Sequence, residues 1–341
     1  MLVKSFICGV SGTSLTAEER EFLATEQPYG VILFARNVQS PAQVKALTAE
    51  IRQQLTHPFV EILVDQEGGR VARLKPPHWR AYPSAQALSC QPDAERAVYV
   101  NARLIAQELY DVGITMDCAP VADVLAPECH KIIGDRAFGD NASQVVRLAR
   151  AQADALLDEG ILPIVKHIPG HGRATMDSHE TLPVVSAPLA ALEASDFAVF
   201  KALNDLPLAM TAHILYTALD DTRCATFSPI VINYIREVIG FDGLIMSDDL
   251  SMKALGGSYA KRTEKSLAAG CDLVLHGNGA LFGEAQSRDL MAELREVAAH
   301  SVVLEGKALA RAKAAASQRR TPKVDDAPAL LAEWQQLLAA A

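Results

Sequence analysis

Between Lys166 and Glu180 the chain reads Lys-His-Ile-Pro-Gly-His-Gly-Arg-Ala-Thr-Met-Asp-Ser-His-Glu, which puts three of its nine histidines into one stretch without strong periodicity. Imidazoles and carboxylates at this spacing admit metal ligation as one chemistry. His167-x3-His171 and Asp177-x-His179 supply the right ligand types. However, Pro169 and Gly170 stand between the first two histidines and oppose the helical geometry that makes H-x3-H bidentate, so no metal is expected. A plain turn built of Gly, Pro and His is the other simple reading. Against it, structureless connections beyond ~12–15 residues are uncommon in compact domains and tend to carry function, and this one runs on to the helical pattern near Leu189.

Similar residues recur elsewhere, each at the end of an apolar run. Asp65-Gln66-Glu67-Gly68-Gly69-Arg70 follows Val60–Val64, and Asp117 lies at the end of Ile114–Cys118. Lys166-His167 follows Leu162–Val165, His213 follows Leu208–Thr211, Asp248-Asp249 follows Leu244–Met246, and Gly277-Asn278 follows Leu273–His276. Ser5–Cys8 and Val31–Phe34 complete a set of eight. These runs are too evenly apolar for half-exposed antiparallel strands and read as buried parallel ones.

Helical patterns alternate with them: Ala17–Ala24 with a capping box at Thr16 and Glu19, Pro41–Gln54 after Ser40, Ala94–Tyr110, and Ala142–Asp158 after Asn141. Leu189–Leu203, Pro229–Ile239 and Lys261–Ala269 continue the series, followed by Val302–Ala316 and Ala327–Ala340. The alternation predicts an α/β fold, a (β/α)8 TIM barrel. Residues 1–341 are expected to form one catalytic domain with a helical extension from about residue 300. A Rossmann sheet fits less well, since Gly9-Val10-Ser11-Gly12 does not match the G-x-G-x-x-G fingerprint. In a barrel the polar residues past the strands converge on one mouth, which is where such folds carry catalysis. That distribution favours an enzyme.

Composition narrows the partners. The 341 residues carry 32 Lys+Arg against 41 Asp+Glu, a net charge of −9. A nucleic-acid binder needs basic stripes, and the one basic cluster, Arg319–Arg320 with Lys323 nearby, reads as a solvated patch. The six cysteines are scattered without a C-x-x-C, which suits a reducing compartment. Phe6–Val10 is too short for a signal-peptide core, and no apolar run approaches the ~20 residues of a membrane span. A soluble cytoplasmic protein, with neither nucleic acid nor membrane as partner, is expected.

Three segments in order, Val64-Asp65-Gln66-Glu67-Gly68-Gly69-Arg70-Val71, Lys166-His167-Ile168-Pro169-Gly170-His171-Gly172 and Ser247-Asp248-Asp249-Leu250-Ser251-Met252, resemble the signatures of glycoside hydrolase family 3. Gly30–Asn37, Ala119–Pro120 and Gly134–Phe138 add to the likeness, which covers about residues 5 to 280. Within that family the chain looks like the bacterial single-domain β-N-acetylglucosaminidases of peptidoglycan recycling. The resemblance implies that Asp248 is the nucleophile. It also implies that His179 is the proton donor and acceptor, oriented by Asp177, and that Asp65, Arg73, Arg136, Lys166 and His167 bind the N-acetylglucosamine unit. The implied substrate is GlcNAc-β-1,4-anhydro-N-acetylmuramic acid, with or without its stem peptide, and no cofactor is implied.

The implied roles suit the residue types. Cleavage of a β-glycoside with retention needs a carboxylate on one face of the sugar and a proton donor at the leaving oxygen. An imidazole, with an unperturbed pKa of ~6.5, can donate near neutrality, and a nearby aspartate can orient it. Simpler roles stay open. Asp248 or, better, Asp249 could cap a helix over Leu250–Leu255. Asp65 and Glu67 could be ordinary loop acids, and Arg73 and Arg136 surface ion-pair partners. His171 is expected to be structural and His213 to form part of the site wall. His276 and His78-Trp79 fit no assigned pattern and could shape the leaving-group subsite. Two rival functions remain: a β-N-acetylglucosaminide phosphorylase of the same family, which a neutral histidine in place of a carboxylate would favour, and a non-catalytic sugar-binding barrel.

Overall fold

All eight apolar runs become parallel strands of one closed barrel. In this computed structural model, which describes residues 2–127, 130–178, 180–278, 290–322 and 327–339, the strands in chain order are β1 (Lys4–Gly9), β2 (Pro28–Leu33), β3 (Glu61–Val64), β4 (Met116–Asp117), β5 (Leu162–Ile168), β6 (Val184–Val185), β7 (Leu208–Thr211), β8 (Leu215–Tyr216), β9 (Leu244–Asp249) and β10 (Leu273–His276). Neighbours around the barrel are β1-β2-β3-β4-β5-β7-β9-β10, and β10 closes it on β1 with Phe6 opposite Val274. The expected (β/α)8 architecture is the observed one. β6 and β8 form a separate two-stranded sheet, too short to leave a periodic signal.

Successive side chains on a strand face opposite ways. On β1, Ile7 joins Ile32, Leu63, Met116, Ile164 and Met246 inside the barrel, while Phe6 and Cys8 pack in the layer between strands and helices. Each such aliphatic, fully buried, contributes about 1.5–3 kcal/mol. The outer layer is built from α1 (Ala17–Glu26), α2 (Pro41–Gln54), α3 (Ala85–Ser89), α4 (Ala94–Asp111), α5 (Ala142–Asp158), α6 (Leu189–Ala194), α7 (Asp196–Ala202), α8 (Pro229–Tyr234), α9 (Tyr259–Ala269), α10 (Leu290–His300), α11 (Gly306–Ser317) and α12 (Ala327–Ala339). Thr16, Ser40, Asp93 and Asn141 cap their helices through side-chain oxygens, and the Thr16–Glu19 box is reciprocal. α12 lies on α4, where the Trp334 indole donates to Asn101 Oδ1 at 2.9 Å.

The chain departs from expectation in several places. The helix expected over Leu189–Leu203 breaks at Ser195 (φ −131°, ψ −85°) into α6 and α7. The break opens α7 at Asp196, whose buried carboxylate accepts from Arg173 Nε at 2.6 Å, a long-range pair that no local pattern reveals. No helix forms over Leu250–Leu255. Asp249 Oδ1 accepts the Ser251 N–H at 2.8 Å, as a cap residue does, but the segment continues as a series of turns. In the Arg319–Arg320 patch Arg319 docks on Glu61 at 2.6 Å, while Arg320 stays exposed as expected and pairs with Asp158; Lys323 lies outside the described residues. Among the described residues no helix is long and apolar enough to cross a membrane. Cys8, Cys118, Cys224 and Cys271 are buried free thiols, Cys90 is exposed, and Cys129 lies outside the described residues.

Candidate active site

Because every barrel strand is parallel, the segments after β3, β4, β5, β7, β9 and β10 all leave from the same end. Lys166 stands at this end. β5 runs further than its apolar core, so Lys166 and His167 are strand residues, and the peptide bond between them is cis. Lys166 is 1% exposed, and its ammonium donates to Asp65 Oδ1 at 2.9 Å and meets Glu67 Oε1 at 2.7 Å. Arg73 Nη2 reaches the other Asp65 oxygen at 2.9 Å. Arg136 grips Glu67 bidentately at 2.8 and 2.7 Å, the fork geometry that suits a carboxylate.

Three cations therefore surround two carboxylates in a place largely closed to water. Burial alone would raise Asp65, but Lys166 and Arg73 overcome it and hold its carboxyl well below the usual range. Burial also opposes ionisation of Glu67, and Arg136 with Lys166 brings it down to about 2. In turn, Asp65 and Glu67 outweigh the desolvation of Lys166 and hold it above its ordinary value. The cluster stays fully charged near neutrality. It presents fixed ammonium and guanidinium donors beside an acid with lone pairs to spare, which is how proteins hold sugar hydroxyls in place of water.

His167 is fixed by a partner that sequence reasoning missed. Asp123, fully buried, pairs its Oδ2 with His167 Nδ1 at 2.7 Å, while its Oδ1 accepts the N–H groups of His167 and His171 at 3.1 and 2.6 Å. Burial opposes its ionisation, and His167 brings Asp123 back down to about 2. A carboxylate on Nδ1 fixes the ring's orientation and leaves Nε2 on the far side. Asp117, placed at a strand end by the sequence, was given no role there. It is fully buried at the end of β4, and burial pushes it up to about 7. Glu67, for which the sequence left an ordinary loop acid open, belongs to the charged cluster. Asp123 follows the recognised Ala119–Pro120, and Glu67 lies within the recognised segment Val64–Val71. Their importance comes from partners far away in the chain.

Asp248 is the penultimate residue of β9 and is partly buried. Its Oδ1 accepts the N–H of Asp249 at 2.8 Å. Behind it, His213 is held neutral by burial and donates from Nε2 to the Asp249 carbonyl at 3.2 Å, with Nδ1 2.7 Å from Thr226 Oγ1. His213 thus fixes the chain next to Asp248 from inside the wall. The carboxyl groups of Asp65, Asp117 and Asp248 and the Lys166 ammonium all lie near enough to bear on the buried Cys118 thiol, which burial first of all pushes up. These groups therefore share one region of the barrel mouth.

The loop after β5 is tied on two sides. Towards the β4 loop, the Ala126 N–H reaches Gly172 O at 3.0 Å and His130 N–H reaches Ala174 O at 2.7 Å. A Cβ at Gly172 would stand 1.8 Å from Val124 O, so only glycine fits. Towards the β9 loop, Ser178 O accepts from Ala254 N–H at 3.3 Å. His171 is structural, as expected: its Nε2 lies 3.2 Å from Ser178 Oγ, and burial lowers it to about 4. Asp177 is partly exposed, and its carbonyl accepts from Glu180 and Thr181. His179 lies outside the described residues. His276 is buried against Tyr259 and pairs with Glu293 at 3.0 Å, and Trp79 sits in the core. These two are wall and core residues, while His78 is exposed beside Trp79.

A barrel of this topology with a charged, sugar-suited mouth agrees with comparison to known proteins. A profile of the glycosyl hydrolase family 3 N terminal domain matches residues 5–320, and the chain belongs to that family. Within it, the chain is an enzyme of the β-hexosaminidase type. The β-hexosaminidase of Methylococcus capsulatus is 42% identical over 270 residues, 77% of this chain and 80% of that one. That of Alkalilimnicola ehrlichii is 40% identical over 288 residues, 81% of each chain. The structure of NagZ from Neisseria gonorrhoeae in complex with N-trifluoroacetyl-D-glucosamine is similar with a TM-score of 0.83 and 32% identity, across 100% of this chain and 99% of that one.

Proposed function

We propose that the chain, acting as one catalytic domain over residues 1–341, is a retaining exo-β-N-acetylglucosaminidase. Its substrate is GlcNAc-β-1,4-anhydro-N-acetylmuramic acid, free or as a muropeptide, and the setting is cytoplasmic cell-wall recycling. The observation that carries the reading is the buried cluster of Lys166, Arg73 and Arg136 around Asp65 and Glu67, opening at the same barrel end as Asp248. Asp65, Arg73, Arg136, Lys166 and His167 bind the sugar. Arg136 acts in part through Glu67, which it holds ionised against Lys166.

Asp248 attacks the anomeric carbon, and His179 protonates the departing oxygen, so that the glycosidic bond breaks as an ester bond to Asp248 forms. In the second half, His179 takes a proton from water, which attacks the same carbon and releases Asp248. Asp177 orients the imidazole and stabilises its charged form. The second inversion restores the β configuration. Proton NMR during early turnover of the disaccharide in phosphate buffer tests this reading. β-GlcNAc should appear first. The α-anomer appearing first would overturn double displacement, and GlcNAc-1-phosphate would make the enzyme a phosphorylase.

A further inference from the structure

Asp65 and Glu67 both face Lys166, and Gln66 lies between them with its side chain turned the other way. That alternation is what extended backbone gives. Gln66 is 2% exposed, and every polar group of its carboxamide is used on one short segment. Oε1 accepts the N–H groups of Arg73 and Leu74 at 2.8 and 3.0 Å, and Nε2 donates to Leu74 O at 2.9 Å. The Gln66 backbone N–H donates to Asp117 Oδ1 at 2.9 Å. The loop in between turns at Gly68, where φ is +96° and a Cβ would stand 2.4 Å from Pro83 O.

We propose that Gln66 is a positioning residue for sugar binding: its carboxamide clasps the two ends of the loop from Asp65 to Leu74 so that Arg73 meets Asp65, and Asp117 anchors the clasp from within the barrel wall. The chemistry selects this side chain. Two N–H groups and one carbonyl must be satisfied by a single planar group, and a carboxamide carries an acceptor and a donor there without titrating. Glutamate would set an oxygen against Leu74 O and add a further buried acid beside Asp65, Glu67 and Asp117, while methionine would satisfy none of the three. The Asp65–Arg73 ion pair and the Gln66–Arg73 backbone bond span the same loop, so the clasp sets where the guanidinium stands. The other Asp117 oxygen has no hydrogen-bond partner among the described residues, so its one bond is the anchor on Gln66. The proposal rests on the reading of Asp65 and Arg73 as sugar-binding residues.

The test is the inhibition constant of free N-acetylglucosamine, read alongside KM and kcat on 4-nitrophenyl N-acetyl-β-glucosaminide. Gln66→Met should raise that constant and KM about tenfold or more while changing kcat less. A double-mutant cycle separates positioning from general loosening. With Arg73→Ala already in place, Gln66→Met should weaken binding by no more than about twofold further. Asp117→Ala should weaken binding in the same direction, and Asp117→Asn, which keeps an acceptor for the Gln66 N–H, should lie nearer the parent enzyme. If Gln66→Met does not fold, the comparison of the two Asp117 variants carries the test. Unchanged inhibition in Gln66→Met, full additivity with Arg73→Ala, or equal effects of the two Asp117 variants would overturn the clasp. If Arg73→Ala alone leaves inhibition unchanged, the sugar-site reading fails, and the clasp fails with it.

Discussion

Asp117→Asn should make the stability of this enzyme respond differently to pH. Asp117 is completely buried, and burial pushes its carboxyl from 3.8 up to about 7, with Asp65 and Glu67 adding to the rise and Lys166 and the Gln66 N–H opposing it. The folded chain therefore keeps a proton that the unfolded chain releases near pH 4. The stability associated with this group is fully present below 3.8 and is lost as pH rises through about 7. About three pH units at 1.36 kcal/mol each makes about 4 kcal/mol. Asp117→Asn removes the titration and leaves the Gln66 bond an acceptor. It also buries an amide N–H where no acceptor stands, a constant penalty of about 1–3 kcal/mol. The readout is therefore the change with pH and not the offset. Equilibrium urea unfolding of both proteins, followed by tryptophan fluorescence from pH 4 to pH 8, should show the variant gaining about 4 kcal/mol on the parent across that range, with equal m-values. A difference that stays flat with pH would mean that Asp117 is ionised in the folded chain, and the reasoning from its burial would be wrong.

Other perturbations follow from the same geometry. Asp248→Ala should lower kcat by about a thousandfold or more with the melting temperature unchanged within a few degrees, measured on the disaccharide by product release. Lys166→Met should cost about 3–5 kcal/mol of unfolding free energy, because Asp65 and Glu67 lose the cation they share in a buried place; calorimetry checks it. His179→Ala should lose far more activity on a sugar–sugar bond than on a nitrophenyl glycoside, whose leaving group needs no proton. On the aryl substrate a burst of nitrophenol before a slow phase is expected in stopped-flow traces.

The barrel was legible in the sequence because its signals are local. Apolar runs such as Leu208–Thr211 and Leu273–His276 coincide with β7 and β10, and cap residues such as Ser40 and Asn141 mark where α2 and α5 begin. Strand ends were harder to read. Lys166, His167, Asp248 and Asp249 are polar and still lie within strands, since the barrel mouth can solvate or pair them. Long-range pairs left no local trace. Asp123 gains its meaning from His167, Glu67 from Arg136, and the break at Ser195 from the Asp196–Arg173 pair, each joined across many residues. Asp249 does make the capping-type bond to the Ser251 N–H that the sequence allowed, yet the chain beyond it continues as turns and not as a helix.

The reading of Asp248 as a covalent nucleophile is tested most directly by trapping. The enzyme is incubated with a fluorinated N-acetylglucosaminide bearing a good leaving group, quenched, digested and examined by tandem mass spectrometry. One glycosyl unit should be found on the peptide containing Ser247-Asp248-Asp249, with fragmentation placing it on Asp248. An adduct on Asp249 or on any other residue, or turnover to product with no adduct and the α-anomer formed first, would contradict it.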